Sequence, residues 1–168
     1  MAKDKYANMA YISVTESTVN TLTFGELETG ISLFEKIGWN IHRVNYWLDN
    51  ATIAQLVAGS DQLQIALTLS NKVTTLNLSD AAVLDVLSIN PILISTGESM
   101  QWAVMPMIRD FSTMPMGGKL VPPRPIYLAV KATGFASAAI VSCRFEYTTV
   151  ELKPDDYWEL VEAYRLVE

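Results

Sequence analysis

The chain has 168 residues, half of them hydrophobic, with 18 acidic side chains against 12 basic ones and a formal charge of −6. That length and apolar share allow one domain with a sizeable core, and the acidic balance argues against a dedicated nucleic-acid surface. A single cysteine, Cys143, excludes an internal disulfide framework, and no apolar run approaches the roughly 20 residues of a membrane-spanning helix.

Residues 1–8 are polar, carry both signs of charge and read as an arm or an edge segment. Residues 9–168 read as one domain. The opening MAKDKYANMAYISV lacks the long apolar stretch of a signal peptide. A first strand is expected over Ala10–Thr15 and a second over Thr18–Leu27, where β-branched residues favour an extended backbone. Glu28-Thr29-Gly30 reads as a turn. Ile31–Gly38 is ambiguous between helix and strand, because Ile31, Phe34 and Ile37 recur every three residues.

Trp39–Leu48 alternates. Asn40, His42, Val44, Tyr46 and Leu48 form the set expected to face the core at its Val-Tyr-Leu end. Thr52–Gly59 reads as a brief helical turn capped by Asn50 or Thr52. Gln62–Leu69 is a strand with Leu63, Ile65, Leu67 and Leu69 on one face, and Lys72–Leu78 reads as extended too. Ser79–Ala82 looks like a cap before Val83–Leu87, and Ile92–Ser95 is a short strand after the Asn90-Pro91 break. Glu98–Phe111 is expected to be a strand interrupted near Pro106. Ser112–Arg124, with its prolines and glycines, reads as a long loop.

Pro122–Leu152 reads as two long strands joined at Gly134. In the second, Val141, Cys143, Phe145 and Tyr147 point one way and Ile140, Ser142, Arg144 and Glu146 the other, with Cys143 a small core residue. After Lys153 a helix of about three turns is expected, since proline suits the first turn and Asp155 and Asp156 meet its positive end. Tyr157, Leu160, Val161 and Tyr164 make its apolar stripe. Eight or so strands without a βαβ rhythm predict an all-β fold, an antiparallel eight-stranded jelly-roll sandwich with a short C-terminal helix. An immunoglobulin-like sandwich is second, and one cysteine removes its usual inter-sheet disulfide.

No catalytic, cofactor-binding or metal site is expected. His42 is the only histidine and has no second to assist it at a metal. Glu16, Glu26, Glu28, Glu35 and Asp49 could converge as glycosidase carboxylates only if the fold brings two together. Asp155, Asp156 and Glu159 already have a helix-capping role. Met116–Lys119 has glycine and lysine but lacks the Ser or Thr of a phosphate-binding loop, and no GxGxxG, CxxC or HExxH pattern occurs. The basic residues are scattered, with no arginine-rich arm. The four tryptophans, seven tyrosines and seven methionines suit either a core or an interface.

Mainly from Gly118 to Val167, the run GGKLVPPRPIYLAVKATG, the strand ASAAIVSCRFEYTTVEL and the tail KPDDYWELVEAYR together resemble a small single jelly-roll coat protein of a virus. That resemblance implies a non-enzymatic virion protein, folded in the host cytoplasm, that self-assembles into an icosahedral capsid through lateral contacts. Its partners would be copies of itself and other capsid proteins. The missing basic arm argues against direct nucleic-acid binding and moves the expectation toward an outer shell, a minor capsid component or a layer touching an internal membrane. The N-terminal segment, the Ser112–Arg124 loop with Met114 and Met116, and the C-terminal helix are the expected contact elements. A second reading is a carbohydrate- or receptor-binding sandwich of a spike or fibre. There Trp39, Trp47 and Trp102 would stack on sugar rings, and Asn45 and Asp49 would supply polar contacts.

Overall fold

Alternating burial sets the layers. The computed structural model describes residues 7–27, 36–57, 60–95, 98–100, 106–122 and 124–165. Its strands are β1 (Asn8–Thr15), β2 (Thr23–Leu27), β3 (Ile37–Leu48), β4 (Gln62–Thr68), β5 (Val83–Ile89), β6 (Ile92–Ser95), β7 (Glu98–Met100), β8 (Met107–Asp110), β9 (Lys119–Val121), β10 (Ile126–Thr133) and β11 (Ile140–Glu151). Two α-helices, α1 (Asn50–Ile53) and α2 (Pro154–Arg165), complete the described elements with a single 3-10 turn at Pro115–Gly117.

One sheet runs β1-β11-β3-β8, with β9 also paired to β3; the other runs β2-β10-β4-β5; β6 and β7 form a separate hairpin. Every pairing is antiparallel. Both β8 and β9 lie along β3, at Arg43–Tyr46 and Trp39–Ile41, so they act as one interrupted strand. Counted so, eight strands in chain order give sheets 1-8-3-6 and 2-7-4-5, the strand order of a jelly roll. Only β4 and β5 are successive neighbours in one sheet; the other connections among the eight cross between layers. Between the sheets lie Val44, Tyr46, Val141 and Phe145 from one side and Leu63, Ile65, Leu67, Leu128 and Val130 from the other. Cys143 is buried among them as a free thiol.

In β3 the alternation changes phase. Glu146 pairs with Arg43 but Tyr147 pairs with Ile41, so β3 has one extra residue, a bulge at His42. Trp39 and Ile41 before it, and Val44, Tyr46 and Leu48 after it, are all buried core residues. The core-facing run expected at the Val44-Tyr46-Leu48 end is what the structure shows beyond the bulge, while His42 sits beside Thr148 on the outer face.

Several expected boundaries move. The second strand begins at Thr23, not Thr18, because Asn20 takes a left-handed φ of 61° and its side chain is tied to Phe135. Lys72–Leu78 forms turns rather than a strand. Its Val73 and Leu76 pack on Ala66, Ala82, Val83 and Ala129 and so cover the second sheet from outside. The brief helix expected over Thr52–Gly59 lies earlier, at α1 (Asn50–Ile53), with residues 54–57 irregular and 58–59 outside the described residues. Its cap is Asp49 rather than Asn50 or Thr52, since Thr52 N–H donates to Asp49 Oδ1 at 2.8 Å. Ser79–Ala82 caps no helix; Asp80 Oδ1 accepts from Ala82 N–H in a turn that leads into β5. Ser112–Arg124 is not all loop, since it contains the 3-10 turn and β9. The expected turn at Glu28–Gly30, and Ile31–Glu35, lie outside the described residues.

The helix α2 forms as its stripe predicts. Tyr157, Leu160 and Val161 pack on Val150, Leu152 and Leu120, and Tyr164 Oη donates to Leu120 O at 3.3 Å. It therefore stands on the outer face of the first sheet, at the β9 end. Glycine is required where the sheets approach closely: a Cβ on Gly25 would overlap Val14 Cγ2. Gly134 turns the chain out of β10 with a φ of 82°, where a side chain would press on the Asp61 carboxylate.

Candidate interaction surface

Polar side chains buried inside the sandwich are engaged in holding it. Asp85, on β5, faces the edge between the layers and is buried. Its Oδ2 accepts from Tyr46 Oη at 2.9 Å, and its Oδ1 accepts from Arg109 Nε at 3.1 Å and Nη2 at 3.0 Å. Tyr46 lies on β3 and Arg109 on β8, so this carboxylate joins the two sheets. Lys119 Nζ donates to Leu84 O beside it.

Burial first, then the Asp85 charge, pushes the Tyr46 phenol well above its ordinary 10.0 and the Cys143 thiol well above 9.0. Burial pulls Lys119 below its ordinary 10.5, against the attraction of Asp85. Folded Tyr46 and Cys143 thus keep protons that the unfolded chain releases above about pH 9. Stability then falls with rising pH, by about 1.4 kcal/mol per pH unit for each fully responding group. Lys119 has the opposite sign, because there the unfolded chain holds the extra proton, but it is one smaller shift against two larger ones. Tyr46→Phe should therefore flatten the fall of Tm measured between about pH 9 and 11; an unchanged slope would contradict this assignment.

Among the described residues, the acids considered for catalysis serve separate places in the fold. Glu16 is buried directly after β1, with Oε1 accepting from Ala132 N–H at 2.8 Å and Oε2 from Ala139 N–H at 2.9 Å. It thereby braces the connection from β10 to β11. Gln55 Oε1 holds the same connection through Ala136 and Ser137 N–H, and Thr52 Oγ1 accepts from Ile140 N–H. Asp49 is the α1 cap, Glu26 lies exposed on β2, and Glu28 and Glu35 lie outside the described residues. Among the described residues no group of three or more His, Cys, Asp or Glu side chains is placed to hold a metal ion. No described helix is long and apolar enough to cross a membrane.

His42 is a structural strap. Its Nδ1 lies 2.6 Å from Gly117 O and its Nε2 2.9 Å from Thr148 Oγ1, so Nδ1–H donates and Nε2 accepts from the hydroxyl. Asn40 Nδ2 donates to Met116 O at 3.1 Å. These bonds pin a turn whose Met116 and Gly117 both take φ of 69°, and they leave Met114 and Met116 exposed at its tip. An apolar groove of about 350 Å³ runs from Met116 along Leu120, Leu152 and Leu160, with Asp156 and Glu159 at its rim.

The outer face of the β1-β11-β3-β8 sheet has an ordered surface. Register places Met9, Glu146, Arg43 and Asp110 in one row and Tyr11, Arg144, Asn45 and Ile108 in the next. Ser13, Ser142 and Trp47 form a third. Arg43 bridges Asp110 at 3.5 Å and Glu146 at 3.6 Å, so one guanidinium serves two carboxylates and the first row stays net negative. Met9, Tyr11 and Ile108 are 66%, 61% and 57% exposed; Met9 and Tyr11 adjoin on β1, and Ile108 stands on β8 at the opposite edge of the same sheet face.

The tryptophans divide differently from the sugar-stacking expectation. Trp39 is buried in the core and stacks on Tyr147, with centroids 3.9 Å apart and planes at 10°. Trp47 is half-buried on the outer face under the Arg144 guanidinium, 5.3 Å from the ring centroid. Asn45 shares that face, Asp49 caps α1, and Trp102 lies outside the described residues. Trp158, which the apolar stripe of α2 leaves aside, is exposed on that helix. Residue type marks none of these fates in advance, because a tryptophan serves core and surface contact equally. The chain is a two-sheet antiparallel jelly-roll sandwich closed by a short C-terminal helix; no family model matches it, and no curated protein matches it in sequence.

Proposed function

We propose that this chain is a structural subunit that joins copies of itself, and other coat proteins, into a closed viral shell. The observation that carries this reading is the placement of the exposed apolar side chains. Met9 and Tyr11 on β1 and Ile108 on β8 stand at the two edges of one sheet face, Met114 and Met116 crown a pinned turn, and Trp158 stands on α2. Such side chains face water at a cost unless another surface covers them. A rigid sandwich holds them in fixed directions, so that symmetry repeats each weak contact and the contacts add by multivalency. The buried polar groups, by contrast, serve the fold, through Asp85 between the sheets and Glu16 at the β10–β11 connection. The role is mechanical rather than enzymatic, and with 18 acidic against 12 scattered basic residues the genome would be held by another component. The chain would fold in the host cytoplasm and reside in the capsid.

Negative-stain microscopy of the purified assembly tests this. Closed particles are expected from the wild-type chain. Replacing Met114 and Met116 together with glutamate should lower particle yield at least about tenfold while leaving Tm nearly unchanged, since neither side chain belongs to the core. Wild-type yield from that variant would remove the turn from the contact, and dispersed wild-type monomers would overturn the reading.

A further inference from the structure

The outer face of the β1-β11-β3-β8 sheet is a step. At the β9 end α2 stands on Val150 and Leu120, adding a layer about 10 Å high. At the other end Met9, Tyr11 and Ile108 remain exposed. Two such steps fit together when one copy is turned about a two-fold axis, the high half of each over the low half of the other. We propose that two copies of this chain pair face to face about such an axis, with α2 of each seated on the uncovered half of its partner's sheet. This rests on the self-association reading above and specifies its first contact.

The chemistry of the two halves is complementary. The face of α2 opposite its packed stripe carries Asp155, Glu159 and Glu162, flanked by Trp158, which is 60% exposed. The low half carries Arg144, which forms no ion pair among the described residues and lies between Tyr11 and Asn45 in the register. Two donors there lack acceptors among the described residues: Arg144 Nε, and Nδ2 of Asn45, a side chain only 3% exposed. Those two nitrogens lie beneath the surface, but a row of carboxylates brought over Arg144 pairs the guanidinium charge that no carboxylate among the described residues meets. Trp158 against Met9 and Tyr11 adds an apolar contact at the β1 edge, next to the charge contact at Arg144. A two-fold makes each contact occur twice.

Charge reversal tests the pairing by sedimentation velocity. Arg144→Glu and Glu159→Arg should each weaken dimerisation at least about tenfold, because each homodimer then sets like charges together twice. Both positions are on the surface, and an unchanged Tm confirms that each variant folds. An equimolar mixture of the two should regain association as a 1:1 heterodimer, since one contact is then wild-type and the other reversed in both signs. Trp158→Ala should weaken association in the same assay. Wild-type association by both charge variants, or a mixture no tighter than its components, overturns this pairing while leaving a shell built through other contacts standing. A wild-type chain that stays monomeric overturns both.

Discussion

Asp85→Ala lowers the folding free energy by about 3–5 kcal/mol, the loss expected when one partner of a buried charged network is removed. The size follows from what remains. Tyr46 is fully buried, and without the carboxylate its hydroxyl has no acceptor, which alone costs about 1–3 kcal/mol. Arg109 loses both of its bonds to Oδ1, but its side chain is 43% exposed and water replaces much of that interaction. The greater part of the loss therefore falls on Tyr46 and on the cavity. Denaturant unfolding should show a lower midpoint at an unchanged m-value. The double variant Asp85→Ala/Tyr46→Phe should lose less than the sum of the two single variants, because no orphaned hydroxyl is left. Additive losses would show that the two side chains do not act together.

Glu16→Ala is the second large effect, again about 3–5 kcal/mol, from two backbone N–H groups that lose a charged acceptor. Ala132 and Ala139 bracket the turn between β10 and β11, and the Glu16 carboxylate spans them. Glu16 N–H also donates to Ala139 O at 2.9 Å, so the backbone there is held twice. Removing the carboxylate should free the turn before it unfolds the sandwich. Hydrogen exchange would show this as faster exchange at Ala132 and Ala139, with little change in the core of β4 at Ile65, Ala66 and Leu67. Uniform acceleration across β4 would contradict a local brace. Glu16→Gln keeps one acceptor and should lose less than Glu16→Ala does.

Sequence patterns reveal the elements that fix their own periodicity. Leu63, Ile65, Leu67 and Leu69 hold one phase through β4, and the apolar stripe of α2 begins where Pro154 starts the helix. Elements defined by a distant partner are not visible in this way. Lys119–Val121 becomes a strand only because Trp39–Ile41 lies beside it, in a stretch whose glycines and prolines suggest a loop. The bulge at His42 is likewise invisible locally, since Trp39, Ile41, Val44, Tyr46 and Leu48 could belong to either phase until Tyr147 is seen opposite Ile41. Val73 and Leu76 mimic an extended segment while capping a sheet from outside.

The surface is legible only in part. The Ser112–Arg124 segment and the C-terminal helix stand out by their methionines, prolines and acidic residues, and both present exposed apolar side chains. The sheet face does not stand out, because Tyr11, Arg144, Asn45 and Ile108 are far apart in the chain and become neighbours only through register. The same separation hides Asp85, Tyr46 and Arg109, which bond across 24 and 39 residues. Charge at Glu16 and Asp49 suggests chemistry, whereas the fold gives one to a turn and the other to a helix cap.

Sedimentation velocity of the purified wild-type chain over a rising concentration series is the most direct measurement of whether this sandwich builds something larger than itself. Species well above the 18.6 kDa chain, growing with concentration, are the predicted result. A single 18.6 kDa boundary at every concentration would contradict it.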